Sequence, residues 1–256
     1  MFEIIWKGNN GSNFYPDRRG QFARAICNHI SVGTMGSMYN TFSNPKNVNS
    51  SAHFGVGRDG TIHQYVDIKD GAWTQGISQG QIPMSTAPIV KDLGIDPNLY
   101  CTSIEHEGYT DQNGEVMGVD GNLTEIQFYA SCWLHKWIQK EVEDKWGIHI
   151  LLGPYNVIGH FQINPRDKPY CPGLNFPWSR LYAELAIAEI MTFEEYSIRV
   201  QYKLNANSER QRGAKVVNRI YDLWKKVETP NQYEHNAIEK LLSIEKYMLD
   251  NDIMNP

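Results

Sequence analysis

The run RAICNHISV, from Arg24 to Val32, is the tightest constraint on how this chain can fold. Its alternation puts Cys27 and His29 on one face and Ile26, Asn28 and Ile30 on the other, which is the period of a strand, and a strand needs partners. A second run, CTSIEHEG from Cys101 to Gly108, places Ser103, Glu105 and Glu107 on one face and Ile104 and His106 on the other. Between the two runs, HFGVG and TIHQYV flank Arg58, Asp59 and Gly60; Asp-Gly between alternating stretches predicts a hairpin. From about Leu123 to Trp146 the apolar residues change to helical spacing through Ile126, Ala130, Trp133 and Trp137, and Leu134, Ile138 and Val142 widen that face. Thr124 is the expected N-cap, Gln127 completes a capping box and Gly147 ends the helix. A further helix is expected from about Trp178 to Ile190. Strands interleaved with helices predict an α/β domain, a mixed central β-sheet flanked by helices.

Residues 191–256 have a different texture. Three capping signals, Thr192 with Glu195, Ser208 with Gln211, and Thr229–Pro230 with Gln232, punctuate apolar positions at helical spacing, such as Val217, Ile220 and Trp224. The expectation is a first domain of residues 1–190 and a small all-α C-terminal domain of residues 191–256. That tail carries ten basic and ten acidic residues, so the net charge of −5 belongs to the first domain. Neither part has the basic footprint of a nucleic-acid binder. No apolar run approaches the roughly 20 residues that span a bilayer, so no membrane insertion is expected. The opening MFEIIWKGNN lacks a basic segment followed by a long apolar one, and synthesis in the cytosol without a signal peptide is the expectation. Cys27, Cys101, Cys132 and Cys171 form no CxxC pair, and a chain of 256 residues can bury a core without disulfides, so reduced thiols are expected.

The stretch GHFQINPRDKPYCPG, Gly159 to Gly173, is stiffened by Pro165, Pro169 and Pro172, which stop any regular helix or central strand. A rigid polar loop of this kind positions something. From the residues alone, His160 and Cys171 fit a metal site with His29, a nucleophile with its base, or an ordinary turn. Of the other histidines, His135, His149 and His235 read as surface or capping residues, and His53 and His63 as members of a polar strand face.

Five pieces in order carry a resemblance: the strand ending NHIS, then SSAHFGVGRDGTIHQYV, DGAWTQG, TSIEHEG and VIGHFQINPRDKPYCPG. From about Arg24 to Gly173 the chain resembles the zinc-dependent N-acetylmuramoyl-L-alanine amidases of the type 2 family, which share a fold with peptidoglycan recognition proteins and T7-type lysozyme amidases. The resemblance implies one Zn²⁺ per chain held by His29, His160 and Cys171, with Glu105 as acid/base and Glu107 as its fallback. It implies Lys168 as the oxyanion-stabilising cation, although that lysine lies one position earlier than the family pattern, with Arg166 as substitute. The family's AWHAG is AWTQG here, so Thr74 replaces a substrate-contacting histidine; Trp73, Thr74 and His53 are the expected substrate contacts.

The implied activity is hydrolysis of the amide between N-acetylmuramic acid and L-alanine in peptidoglycan. Such domains occur in phage and prophage endolysins of Gram-positive hosts, ahead of a small wall-binding tail. This would make residues 191–256 a cell-wall-binding unit, the cell wall the place of action, and lysis of the bacterium its outcome. Two other classes compete. A non-catalytic peptidoglycan-binding module is opposed by the complete ligand set, and a zinc peptidase by the absence of HExxH.

Overall fold

The computed structural model describes residues 2–109 and 121–206; Trp224, His235 and the capping signals at Ser208 and Thr229 lie outside the described residues. In chain order the strands are β1 (Ile4–Trp6), β2 (Phe14–Tyr15), β3 (Ala25–Ile30), β4 (Phe54–Val56), β5 (Ile62–Gln64), β6 (Gly71–Ala72), β7 (Cys101–His106) and β8 (Val157–Gly159). The α-helices are α1 (Met35–Ser43), α2 (Pro88–Leu93), α3 (Glu125–Trp146), α4 (His160–Ile163), α5 (Trp178–Glu189) and α6 (Phe193–Ala206). The chain divides into one compact unit, Phe2–Ala186, and a second that begins at Ile187. In the second, α6 opens on a capping box: Thr192 Oγ1 accepts the Glu195 N–H at 3.2 Å and Glu195 Oε2 accepts the Thr192 N–H at 2.9 Å. No described helix is long and apolar enough to cross a membrane.

Six strands of the first unit form one sheet in the order β1-β5-β4-β7-β3-β8, and β2 pairs with β6 apart from it. β4 and β5 are the antiparallel hairpin expected from Asp59-Gly60; Gly60 takes φ +85° and Asp59 Oδ1 accepts the Thr61 N–H at 2.9 Å. The other neighbouring strands of the large sheet are parallel, so the sheet is mixed, as expected. All six residues of β3 are buried, as in a parallel strand covered on both faces. On one face Cys27 packs in a cluster with Val90 of α2, Tyr100 and Ile158; on the other, Asn28 Nδ2 lies 3.2 Å from His135 Nε2 of α3.

Three expectations about α3 fail. Thr124 Oγ1 does accept the Gln127 N–H, but Gln127 does not return the bond. Its side chain reaches the sheet instead, donating to Val56 O at 3.0 Å and Glu107 O at 2.9 Å. A buried carbonyl left short of a donor costs more than a helix end open to water, so the sheet wins this amide. His135, expected at the surface or a cap, is wholly buried, with Nδ1 2.7 Å from Ser131 O. Helical spacing marks one apolar stripe, whereas α3 is buried without a break from Gln127 to Lys136. The second cover is α5, whose Arg180 stacks on Phe128 at 3.9 Å and pairs with Glu125. Conversely Ile126, expected on the apolar face, is 39% exposed.

Candidate metal centre and catalytic cavity

Three parallel strands deliver the site from their carboxyl ends. The register sets His29 of β3 beside Glu105 of β7, and Asn28 beside Gly159 of β8, so His160, the residue after β8, arrives at the same end. Open α/β sheets expose polar side chains at this edge because the ladder ends there while the hydrophobic layers continue beneath it. α4 is a single turn; it stops at Asn164, before Pro165. Asn164 then ties the loop down: its side-chain amide donates to Gly76 O at 2.9 Å, and its carbonyl accepts the Lys168 N–H at 3.0 Å. The loop returns Cys171 to β3, where the Ile30 N–H points at Sγ from 3.4 Å.

His29 and His160 Nδ1 are 3.0 Å apart, Cys171 Sγ lies 4.0 Å from His29 Nδ1, and the donor atoms of all three residues lie within 4.8 Å of one another. Two ring nitrogens this close share one proton at most, and both rings are buried. Burial pushes His29 well below the usual histidine range, and His160 and Lys168 add to the shift. Burial likewise takes His160 down to about 4, and it pushes the Cys171 thiol up, with Glu105 adding to the effect. A neutral, enclosed pair of imidazoles with a free thiol suits Zn²⁺, which supplies the charge that lets Cys171 ionise and leaves a fourth position open. The residues therefore fit the metal.

Glu105 Oε2 is enclosed and has no hydrogen-bond partner. Burial raises its carboxyl from 4.5 to about 7, against the opposing pull of the Lys168 charge. Glu107 is placed otherwise: its carboxylate accepts the Arg58 N–H at 2.8 Å and the Met35 N–H at 3.2 Å, tying the hairpin turn to α1. Lys168 is exposed and lines the cavity. Arg166 is turned away into two bonds with Asp167, at 2.8 and 3.0 Å, and is not part of the wall.

The cavity over these groups has a volume of about 1060 Å³ and is also walled by Tyr15, Trp73, Thr74 and Tyr170. Trp73 packs edge-on to Tyr15 with ring centres 5.4 Å apart. Thr74 Oγ1 is already engaged, 2.7 Å from Ser51 O and 2.8 Å from Ser103 Oγ. His53, expected to touch substrate, does not reach the wall. It is fully buried behind Thr74, its Nδ1 3.0 Å from the Ser103 N and its Nε2 2.9 Å from Asp70 O and 3.0 Å from Arg18 Nη2. A polar strand face in the sequence proves to be an internal network, because β4 lies inside the sheet. Sequence reasoning missed Gln75, whose carbonyl receives the Nε2–H of His160 at 2.9 Å, and Asn164; both act from loops, where no periodicity marks them.

Comparison with known proteins follows the same lines. Residues 19–174 match the family profile described as N-acetylmuramoyl-L-alanine amidase. Among solved structures, a selenomethionine derivative of AmpD is 20% identical, with a TM-score of 0.50 over 72% of this chain and 94% of that one. The amidase LysC from Clostridium intestinale is 18% identical, with a TM-score of 0.45 over 73% of this chain and 99% of that one. The PlyG catalytic domain is 15% identical, with a TM-score of 0.49 over 75% and 98%. No curated protein matches the chain.

Proposed function

We propose, from the premise that this chain belongs to the N-acetylmuramoyl-L-alanine amidase family, that it is a zinc-dependent hydrolase of the amide between N-acetylmuramic acid and L-alanine in peptidoglycan. The observation that carries the reading is the meeting of His29, His160 and Cys171 beside a carboxyl raised to about 7, in one open cavity.

His29, His160 and Cys171 would hold one Zn²⁺, which supplies Lewis acidity and lowers the pKa of water from 15.7 to roughly 7. Glu105 takes the proton of the attacking water and passes it to the leaving amine of L-alanine; a carboxyl titrating near 7 can do both at neutral pH. Its unpartnered Oε2 is the atom free to carry that proton. Lys168 reaches over the cavity and stabilises the oxyanion of the tetrahedral intermediate, a role worth about 3–4 kcal/mol for one donor. Trp73 and Thr74 form the wall against which the sugar or stem peptide lies.

The setting we favour is a phage or prophage endolysin of a Gram-positive host, made in the host cytoplasm and lytic once it reaches the wall, with residues 191–256 binding that wall. The support is the motif order followed by a tail of neutral charge whose capping signals predict helices. Digestion of purified walls followed by mass spectrometry tests the chemistry. An amidase frees intact stem peptides that begin with L-alanine; cuts inside the stem would overturn the reading. Sedimentation of the full chain and of residues 1–190 with Gram-positive walls tests the tail: equal binding removes its proposed role.

A further inference from the structure

β3 and β7 stay in step as far as Ile30 and His106, and the two chains meet again at Gly33 and Gly108. Ser31 and Val32 therefore lie against the single residue Glu107, a bulge at the end of the strand that carries His29. Val32 takes φ +50° there. This left-handed region crowds a β-branched side chain against its own backbone, and glycine or asparagine sits in it more easily. Bonds on either side hold the conformation. The Ser31 N–H donates to His106 O at 2.9 Å and Ser31 Oγ to Gly33 O at 3.0 Å. Gly33 and Gly108 exchange backbone bonds at 2.9 and 3.2 Å. The side chain gains no core packing in return: Val32 is 49% exposed and lines the catalytic cavity. Bulges beside active sites re-aim a side chain, and strained residues persist there when their surroundings over-determine them.

We propose that Val32 is a specificity residue, held out into the cavity by the bulge to contact the methyl group of the stem peptide's first residue, L-alanine. The proposal rests on the amidase reading of this site. Two observations place the contact next to the scissile amide. Ile30 points its N–H at Cys171 Sγ, and Val32 is only two residues further on, at most about 8 Å from Ile30 between Cα atoms. The neighbouring wall is aliphatic as well, through Met38 of α1 and Val48, which is 58% exposed. The aromatic rings suited to a sugar face, Tyr15 and Trp73, belong to other segments of the wall, which leaves the aliphatic side chains for the peptide. One methyl group against an apolar surface is worth 10–200-fold in discrimination. Val32 is part of an open rim and not of a closed pocket, so the lower end, about tenfold, is expected.

The test is inhibition of wall hydrolysis by two soluble N-acetylmuramoyl peptides that differ only in their first residue, L-alanine or glycine. It is run on the full native chain, Val32→Asn and Val32→Ile. The native protein is inhibited about tenfold more strongly by the alanine peptide. Val32→Asn loses the apolar contact and discriminates by less than about threefold, whereas Val32→Ile keeps the contact and the native ratio. Asparagine is at ease in the left-handed region, so the urea midpoint of Val32→Asn lies at or above that of the native protein. Equal or absent inhibition by the two peptides in the native protein overturns the proposal, as does an unchanged ratio in Val32→Asn. A lower urea midpoint or failure to fold in Val32→Asn means that Val32 packs the fold, and overturns it too. A native chain that frees no stem peptide from walls overturns the amidase reading and this proposal with it; wall hydrolysis without the alanine preference overturns only the role of Val32.

Discussion

Replacing Glu105 with Gln keeps the shape of the side chain and removes its capacity to carry a proton. In catalysis, general acid/base groups contribute 10²–10⁴, so turnover on purified walls should fall by that factor, about 3–5 kcal/mol on the barrier. Zn²⁺ affinity should stay within a few-fold, since the carboxylate is outside the ligand set. Stability moves the other way. The folded carboxyl titrates near 7 against an ordinary 4.5, so the folded state binds the proton more tightly than the unfolded chain does. The native protein is thus penalised progressively as pH rises from 4.5 through 7, by roughly 3 kcal/mol at pH 8 and less than about 1 kcal/mol at pH 5. Metal-free Glu105→Gln escapes that penalty, so its urea midpoint should exceed that of the native protein at pH 8 and nearly coincide with it at pH 5. Zn²⁺ should narrow the gap, because a nearby divalent cation favours the carboxylate. Turnover within tenfold of native, or matching urea midpoints at pH 8, would refute the reasoning.

Lys168→Met should lower turnover by about 10²–10³, whereas Arg166→Met, which removes one surface partner of Asp167 and leaves those from Gln81 and Asn164, should change it little; equal losses would overturn the assignment. Chelation should abolish wall hydrolysis, and Zn²⁺ at a hundredfold over its Kd should stabilise the metal-free protein by about 2.7 kcal/mol, seen as a rise in Tm. His106 and His135 are buried and neutral, with pKa values of about 3 and about 4 against an ordinary 6.5. The unfolded chain therefore binds more protons below pH 6.5, and stability should fall by about 2 kcal/mol per residue between pH 7 and pH 5; a flat urea midpoint over that range would contradict the buried pair. Arg18 is fully buried, with its guanidinium bonded to Ile68 O at 2.9 Å, Cys101 O at 3.1 Å and Thr102 Oγ1 at 3.2 Å. Arg18→Met removes those bonds and should cost about 1–3 kcal/mol for each acceptor left unsatisfied, read by urea unfolding.

The legible parts of the fold were those governed by neighbours along the chain. Alternation in Arg24–Val32 and Cys101–Gly108 located β3 and β7 and their faces, and Asp59-Gly60 located the hairpin. Short elements escaped: β8 has three residues and β6 only two, too few to show a period. The motif order named the residues that the structure gathers, His29, Glu105, His160, Lys168 and Cys171. It could not separate Lys168 from Arg166 or Glu105 from Glu107. Those choices depend on which side chain is already bonded elsewhere, as Arg166 is to Asp167 and Glu107 to two backbone N–H groups.

By itself the sequence determined that Cys27 and His29 share a face of one strand, and that a proline-stiffened loop carries His160 and Cys171. Side-chain direction in a strand and the absence of a proline N–H are local properties, set by covalent geometry. Only the tertiary structure decided that a ring from β3 and a ring 131 residues later meet at 3.0 Å. That meeting comes from the parallel pairing of β8 with β3 and from the bonds of Asn164, neither of which leaves a local pattern. The tertiary structure also decided that Glu105 titrates near 7 and that His53 and His135 are interior. A pKa and a burial are set by everything packed around a group, and the sequence near it carries almost none of that information.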